Sequence, residues 1–344
     1  MVKVGIIGST GYVGAELIRL LLNHKKVELS AISSNSFEGQ HIENIYGNLK
    51  KALSLKCTAA EEVVSSSDVI FTALPHGLSE EIAEKCFQEN KVCIDLGADF
   101  RLQDENEYSK WYGKAFSKPH IHPLSVYGLP ELNRNKIKSS HIIANPGCYP
   151  TSIELALMPA LKEKFIDTDG IIIDSKSGTT GAGRGLSQTT HFPECNENIL
   201  PYKINEHRHL PEIQQILSEM AGTCIKVTFV PHLLPVNRGI LSTIYCSLNG
   251  AQHADKIYEI YKKYYEKESF VRVLNVGETA SIRNVKYSNF CDISLHMQDE
   301  SNRLIIVSAI DNMVKGAAGQ AIQNMNIVLG FDEKDGLEFI PPAF

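Results

Sequence analysis

The sequence lacks the features that define several large protein classes. Its eight cysteines (Cys57, Cys86, Cys93, Cys148, Cys195, Cys224, Cys246 and Cys291) are scattered, and no two form a C-x-x-C pair. The usual spacing of a structural zinc site is therefore missing, and no metal is expected. No apolar run reaches the roughly 20 residues needed to cross a bilayer. Neither sign of charge dominates: 34 Lys and Arg stand against 40 Asp and Glu, a net charge of −6. That balance argues against a nucleic-acid partner and supplies no attraction toward an anionic membrane. A strand pattern starts at Val2, which leaves no room for a targeting segment. The expectation is a cytoplasmic protein with reduced thiols.

What remains is an ordinary globular composition, 43% hydrophobic over 344 residues, enough for about two domains. The first half alternates strands with helices. Val2–Ile7 reads as a buried strand, and Val13, Leu17, Leu20 and Leu21 then recur at helical spacing. Val27–Ile32 reads as the next strand, followed by candidates at Val69–Leu74, Val92–Leu96 and Ile142–Ala144, with a helix at Ser79–Phe87. This alternation predicts a doubly wound, mostly parallel sheet. After Asn145 the pattern changes. A helix from about Thr151 precedes strand patterns at Ile171–Ser175, Ile225–Val230, Ile240–Leu248, Cys291–His296 and Leu304–Ile310. Helices near Pro211–Met220 and Ala254–Tyr265 lie among them, and a last one spans about Lys315–Leu329. The second half thus reads as an α+β domain with a mostly antiparallel sheet. The Lys/Tyr-rich stretch Tyr258–Lys267 reads as a solvated helix. The stretch Ser175–Gly185 reads as a loop long enough to carry function.

Gly8-Ser9-Thr10-Gly11-Tyr12-Val13-Gly14 lies after a strand and before a helix. Such glycines allow a tight turn and close approach of backbone to a pyrophosphate, with free N–H groups at the helix start. The G-x-x-G-x-x-G spacing departs from the commoner G-x-G-x-x-G, and the alternative is a plain structural turn. An NAD site usually places a carboxylate at the end of the second strand to hold the ribose 2′-hydroxyl. Here that position reads Ser33-Ser34-Asn35-Ser36, with Glu38 nearby. Hydroxyls can donate to a 2′-phosphate, so NADP is favoured over NAD; the alternative is a polar loop that touches nothing.

Asn145-Pro146-Gly147-Cys148-Tyr149-Pro150-Thr151 fixes a sharp turn, and Pro150 suits a first helical turn. Cys148 is therefore expected just before a helix N-terminus, where the dipole favours thiolate, a strong nucleophile toward acyl groups. The alternative for any lone cysteine is a small buried hydrophobe, and that is the reading for the other seven. Glu206-His207-Arg208-His209-Leu210-Pro211-Glu212 gathers proton-transfer and anion-binding groups before another helix. Histidines flanking an arginine can equally be ordinary surface residues.

Together with Leu74-Pro75-His76-Gly77, Asp95–Arg101, Tyr127–Leu132, Ser177–Gly183, Phe229–His232, Asp311-Asn312 and Lys315–Ala321, these motifs run through nearly the whole chain. In this order they resemble the N-acetyl-γ-glutamyl-phosphate reductases, relatives of the aspartate-semialdehyde dehydrogenases. The resemblance implies a Rossmann-type domain over residues 1–147, completed by a C-terminal segment 315–344, and a catalytic and dimerisation domain over 148–314. It implies NADPH-dependent reduction of N-acetyl-γ-glutamyl phosphate to the 5-semialdehyde and phosphate, through a thioester on Cys148, in arginine synthesis. It implies a homodimer or homotetramer.

The residue roles it implies are as follows. Cys148 is the nucleophile, and His207 or His209 the acid–base. Arg208, Glu212, Asn145, Arg101 and Ser177 bind substrate. The cofactor contacts Gly8, Ser9, Thr10, Gly11, Tyr12, Val13, Gly14, Ser33, Ser34, Pro75, His76, Gly77, Gly178, Asn312 and Gly316. The nearest rival is a sibling reductase acting on aspartyl or aminoadipyl phosphate. A redox-sensing NADP-binding protein is the rival from another class.

Overall fold

The computed structural model describes residues 1–250 and 253–344. The chain forms two compact units, Met1–Pro146 with Ala317–Glu338, and Gly147–Gly316 with Phe339–Phe344. Residues 315–344, expected to go with the first domain as one piece, are thus shared between the two. Gly316 lies against Cys148, and Pro341 to Ala343 line a cleft with Arg272, Leu274 and Asp292, all within the second unit.

The first unit holds seven strands: β1 (Val2–Ile7), β2 (Val27–Ser33), β3 (Cys57–Thr58), β4 (Val69–Thr72), β5 (Val92–Asp95), β6 (Ser125–Tyr127) and β7 (Ile142–Ala144). They are all parallel, in the order β3-β2-β1-β4-β5-β7-β6. Every residue of β4, β5 and β7 is buried, as befits strands covered on both faces. The strand order reverses between β1 and β4, so the carboxyl end of β1 opens at a switch point, where doubly wound sheets bind ligands. The glycine turn lies there, followed by the helix Tyr12–Leu21. The last helix, Gly319–Val328, packs on that first helix, on the helix Pro130–Ile137 and on β5. It starts later than its sequence pattern predicts, because Val314–Ala318 forms a wider π turn ahead of it.

The second unit holds β8 (Ile172–Ser177), β9 (Leu200–Pro201), β10 (Thr228–Leu233), β11 (Ile240–Ser247), β12 (Val271–Val273), β13 (Cys291–Gln298) and β14 (Arg303–Ile310). Their order is β12-β13-β14-β11-β8-β10-β9. Pairing is antiparallel except for β12 with β13 and β8 with β10. Ser175 to Ser177, expected in a loop, end strand β8; the loop starts at Gly178 and runs on to β9. Ile225, expected to open a strand, lies ahead of β10.

The helix Cys148–Lys162 is buried on all sides from Tyr149 to Leu161, rather than along one stripe. It lies under β11, β13 and β14 and against the helices His209–Ala221 and Ala254–Tyr265. Such burial leaves its polar groups to be satisfied internally. Ser152 shares hydroxyl bonds with Ser242 (3.0 Å) and Ser308 (3.1 Å), and Ser175 reaches Ser242 (2.8 Å). Pro159 has no N–H to give the Leu155 carbonyl, and the Tyr265 hydroxyl donates there instead. The Tyr261 hydroxyl donates to the Ala156 carbonyl (2.7 Å). The helix Ala254–Tyr265 is therefore solvated on one face only. Ile257, Tyr261 and Tyr265 are core residues that brace the cysteine helix.

Candidate functional site

In the first unit the glycine turn is shaped by what it cannot contain. Gly8 has φ +89°, and a side chain there would meet the Ala73 carbonyl oxygen at 2.3 Å. One at Gly14 would strike the Gly8 carbonyl oxygen at 2.4 Å and Ser9 Cα at 2.6 Å. The Ser33 carbonyl anchors the turn, accepting from the Gly8 (3.0 Å) and Ser9 (2.9 Å) N–H groups and from the Ser9 hydroxyl (2.9 Å). Gly11 caps the helix with no side chain across its first turn, and Tyr12 is exposed. A backbone cradle at an uncapped helix start fits a pyrophosphate. Ser33 and Ser34 are both buried, and the Ser34 hydroxyl pairs with that of Thr10 (2.7 Å). Glu38 is exposed on the turn that follows.

At Pro75-His76-Gly77 the next turn already holds an anion of its own. The N–H groups of Gly77, Leu78 and Ser79 converge on the Asp99 carboxylate at 2.5, 3.1 and 2.9 Å, and the Tyr108 hydroxyl adds a fourth donor at 3.0 Å. Asp99 was visible in the sequence only as part of a motif; the turn it closes explains its place. Its neighbour Asp95 accepts from Thr72 (2.7 Å) and the Gly97 N–H (3.0 Å). Burial, then the Asp99 charge, pushes Asp95 up to about 6.

Arg101 and Asn145, expected to bind substrate, are buried within the first unit. Arg101 donates to the Asn145 (2.8 Å) and Leu96 (2.9 Å) carbonyls. The Asn145 side chain donates to the Ala317 carbonyl (3.1 Å) and accepts from Asn324 (3.1 Å). These bonds tie the chain just before the cysteine turn to the last helix.

In the second unit Cys148 is the first residue of its helix, with Gly147 as the cap; it does not sit ahead of the helix as expected. The Thr151 N–H (3.0 Å) and hydroxyl (2.9 Å) both bond the Gly147 carbonyl, so the helix is already running at Pro150. Cys148 is part-exposed, whereas Cys57, Cys86, Cys93, Cys246 and Cys291 are buried. Cys195 and Cys224 are not buried, against the hydrophobe reading given to every cysteine but Cys148. Cys195 lies in a segment that buries nothing, and Cys224 in an exposed turn after the histidine helix. Glu212, expected as a substrate ligand, is 1% exposed and accepts the Gly147 N–H at 2.8 Å. It clamps the backbone that presents the thiol. The His209 ring lies against Gly147, close enough that a methyl group there would come within 2.6 Å of Nε2.

The two histidines are not equivalent. The His209 backbone N–H donates to His207 Nδ1 (3.1 Å). His207 is held among Tyr149, Tyr202 and Phe229, with ring centroids 5.4 to 5.6 Å away. Burial, helped by the Lys203 and Arg208 charges, lowers His207 to about 4, so it is uncharged at neutral pH. Arg208 is exposed at the start of the histidine helix.

Two hydroxyls that the sequence did not single out complete the cluster. Tyr149 and Tyr202 share a hydrogen bond of 3.2 Å. Burial pushes Tyr149 well above the usual phenol range and Tyr202 to about 12, so both are proton-bearing donors.

Ser177 is buried, and its hydroxyl donates to the Gly178 carbonyl (3.0 Å). Gly178 packs on the 237–238 backbone, where a side chain would meet the Asn237 carbonyl oxygen at 2.6 Å. Asn312 joins the same loops, accepting from the Gly239 N–H (2.8 Å) and donating to Thr180 (3.0 Å). Gly316 faces Cys148 directly; a side chain there would lie 2.8 Å from the Cys148 Cβ. Among the described residues no His/Cys/Asp/Glu cluster suited to a metal is found, and no helix is long and apolar enough to cross a membrane.

Comparison with known proteins agrees with this architecture. Residues 3–140 match the family model described as semialdehyde dehydrogenase, NAD binding domain. Residues 148–312 match the one described as semialdehyde dehydrogenase, dimerisation domain. Among solved structures, aspartate semialdehyde dehydrogenase II from Vibrio cholerae superposes with a TM-score of 0.74 at 16% identity, over 96% of this chain and 98% of that one. The Candida albicans aspartate semialdehyde dehydrogenase with NADP gives 0.70 at 17%, over 96% and 98%. At that identity they establish the fold. Much closer in sequence are N-acetyl-γ-glutamyl-phosphate reductases: that of Clostridium botulinum (strain Eklund 17B) is 63% identical and that of Brachyspira hyodysenteriae 59%, each over the full length of both chains. A cysteine-bearing helix start, a paired histidine cluster and a glycine cradle are thus found in a chain that belongs to the N-acetyl-γ-glutamyl-phosphate reductase family.

Proposed function

We propose that the protein reduces N-acetyl-γ-glutamyl phosphate with NADPH, giving N-acetyl-L-glutamate 5-semialdehyde and phosphate in arginine synthesis. The observation that carries this reading is Cys148 at the first position of a helix whose cap is clamped by Glu212 and overlain by His209. The helix start stabilises the thiolate, and backbone N–H groups of its first turn serve as donors for an oxyanion. The thiolate attacks the acyl carbon: a C–S bond forms, and the C–O bond to phosphate breaks with its electron pair leaving on phosphate. Bound NADPH supplies the hydride that reduces the resulting thioester. The tetrahedral oxyanion then collapses, expelling the thiolate and freeing the aldehyde.

His209 is the proton donor and keeps the thiolate ionised. His207, uncharged, accepts the His209 backbone N–H and packs its ring against that of His209, with centroids 4.8 Å apart. Arg208 holds the phosphate or carboxylate of the substrate through its planar fork. The cradle Gly8–Gly14 holds the pyrophosphate, and the Thr10–Ser34 hydroxyl pair supports NADP by offering donors without a repelling carboxylate. Glu212, Asn145 and Arg101 act as positioning residues.

The protein works as a homodimer. Along β11 the residues Ile240, Ser242, Ile244 and Cys246 are buried, while Leu241, Thr243 and Tyr245 on the other face are only part-covered. Such a sheet face suits a second copy. The cytoplasm, where thiols stay reduced, suits a chain with eight free cysteines.

The test is the reverse reaction. Wild type given N-acetylglutamate semialdehyde, phosphate and NADP should form NADPH, and Cys148→Ser should not. NADPH formation that needs no phosphate at steady state, or that survives Cys148→Ser, removes the reading. A panel with aspartate semialdehyde separates the sibling reductases.

A further inference from the structure

The segment from Gly181 to Pro201 is a surface excursion between β8 and β9 in which no residue is buried. Its short helical turns, Gln188–Thr190 and Phe192–Cys195, bury nothing. A stretch of this length with no core of its own is unusual in a compact unit, because ordering each residue costs about 1–2 kcal/mol of backbone entropy. It also displays apolar side chains: Leu186 is 106% exposed, Phe192 72% and Ile199 61%, and just beyond it Ile204 is 48% exposed. Three non-glycine residues around its end have left-handed backbone, Glu197 (φ 56°), Lys203 (φ 47°) and Asn205 (φ 60°), an uncommon and costly state unless something holds it. Ordered, strained and apolar, the segment needs a cover.

We propose that residues 184–204 form an arm that docks on a second copy of this chain, and that this contact holds Tyr202 against Tyr149 beside the reacting cysteine. The proposal rests on the homodimer reading above. Charge selects the occupant. Arg184 and Lys203 balance Glu194 and Glu197, so the arm carries no net charge with which to draw a polyanion or an anionic membrane. A neutral, apolar surface on a chain of net charge −6 is instead where two copies can meet without like-charge repulsion. The arm is also continuous with the proposed dimer face: it ends in β9, the edge strand beside β10, where Leu200 and Pro201 pair with Leu233 and His232. The next residue is Tyr202, whose N–H donates to the Pro231 carbonyl (3.0 Å) and whose hydroxyl meets Tyr149. Anchoring the arm therefore anchors one wall of the cluster that encloses His207.

The experiment combines sedimentation with backbone hydrogen exchange on the full-length protein, in the absence of substrate. Wild type should sediment as a dimer or larger, and the 186–199 amides should exchange slowly. On dilution, mass, protection and activity per subunit should fall together. Leu186→Asp with Phe192→Asp should weaken association by roughly tenfold or more, with fast exchange across the arm and a matching loss of turnover at low concentration. Both side chains are exposed, so the variant's thermal transition should stay near that of wild type; if it does not fold, the wild-type dilution series answers alone. A monomeric wild type, or a variant that keeps both mass and protection, overturns the proposal. Protection that appears only on adding NADPH, without a change in mass, also overturns it and makes the segment a ligand-closed lid. A variant that dissociates yet keeps full activity per subunit overturns the link to Tyr202. Because mass and exchange need no substrate, a failed reductase assay leaves this result standing, and the reverse holds as well.

Discussion

The glycine cradle of the first unit and the cysteine cluster of the second are built in opposite ways. The cradle is one continuous stretch, Gly8–Gly14, held by the Ser33 carbonyl, the Thr10–Ser34 hydroxyl pair and the Tyr46 hydroxyl, and its shape depends on side chains that are missing at Gly8 and Gly14. The cluster gathers Gly147, Cys148, Tyr149, Tyr202, His207, His209 and Glu212 from three separate segments, and its function depends on side chains that meet. A local site tolerates distant change but no side chain at Gly8 or Gly14. A gathered site tolerates local change but not the loss of its packing. The units should therefore fail independently.

The largest effect is expected at the cysteine. Cys148→Ser should lower turnover by about 10⁴-fold or more, while NADPH titration by fluorescence stays at the wild-type value. A parallel loss of nucleotide binding would break the contrast. Next comes Gly14→Val, whose side chain would overlap the Gly8 carbonyl and Ser9. It should abolish nucleotide binding and destabilise the first unit by roughly 1–3 kcal/mol, yet leave the alkylation rate of Cys148 by iodoacetamide unchanged. Third, His209→Asn should lower kcat by about 10²–10⁴-fold, the range of a lost proton donor. His207→Asn should cost less, since an uncharged ring that only orients is partly replaced by an amide; equal losses would make His207 a direct participant.

The smallest effect is on stability against pH, where the units have opposite signs. His207 is lowered from the usual 6.5 to about 4, so the folded state resists protonation. Its contribution is full above 6.5 and is lost as pH falls toward 4. Asp95 is raised from 3.8 to about 6, so its contribution is full below 3.8 and is lost as pH rises through 6. Thermal unfolding between pH 4 and 6.5 should show His207→Asn flattening the acid-side loss and Asp95→Asn flattening the opposite slope. Unchanged slopes in both variants would mean neither group is buried as described.

The same contrast governs how much could be read from sequence. The cradle was legible almost completely, because glycine spacing between an apolar strand and a helical repeat states a local backbone demand. The plan of two units, one with a parallel and one with a mostly antiparallel sheet, was legible for a similar reason: period-2 and period-3.6 patterns are local. Cys148 was placed one step outside its helix because Pro150 suggests a later start; the Gly147 cap and the Thr151 hydroxyl bond begin the helix earlier. The contacts that Glu212, Asn145 and Arg101 make were not legible. A buried carboxylate clamping a backbone N–H sixty-five residues away depends on two helices packing together, and nothing in the local string records it. Tyr202 is hidden for the same reason, within a segment whose exposure, rather than composition, marks it.

The central claim is that the acyl group passes through sulfur at Cys148. Wild-type protein mixed with N-acetylglutamate semialdehyde and NADP, without phosphate, should release one equivalent of NADPH per subunit in a burst and then stop. Mass spectrometry of the quenched sample should find the N-acetylglutamyl group on the peptide containing Cys148. A peptide that stays unmodified while NADPH continues to form would contradict the account.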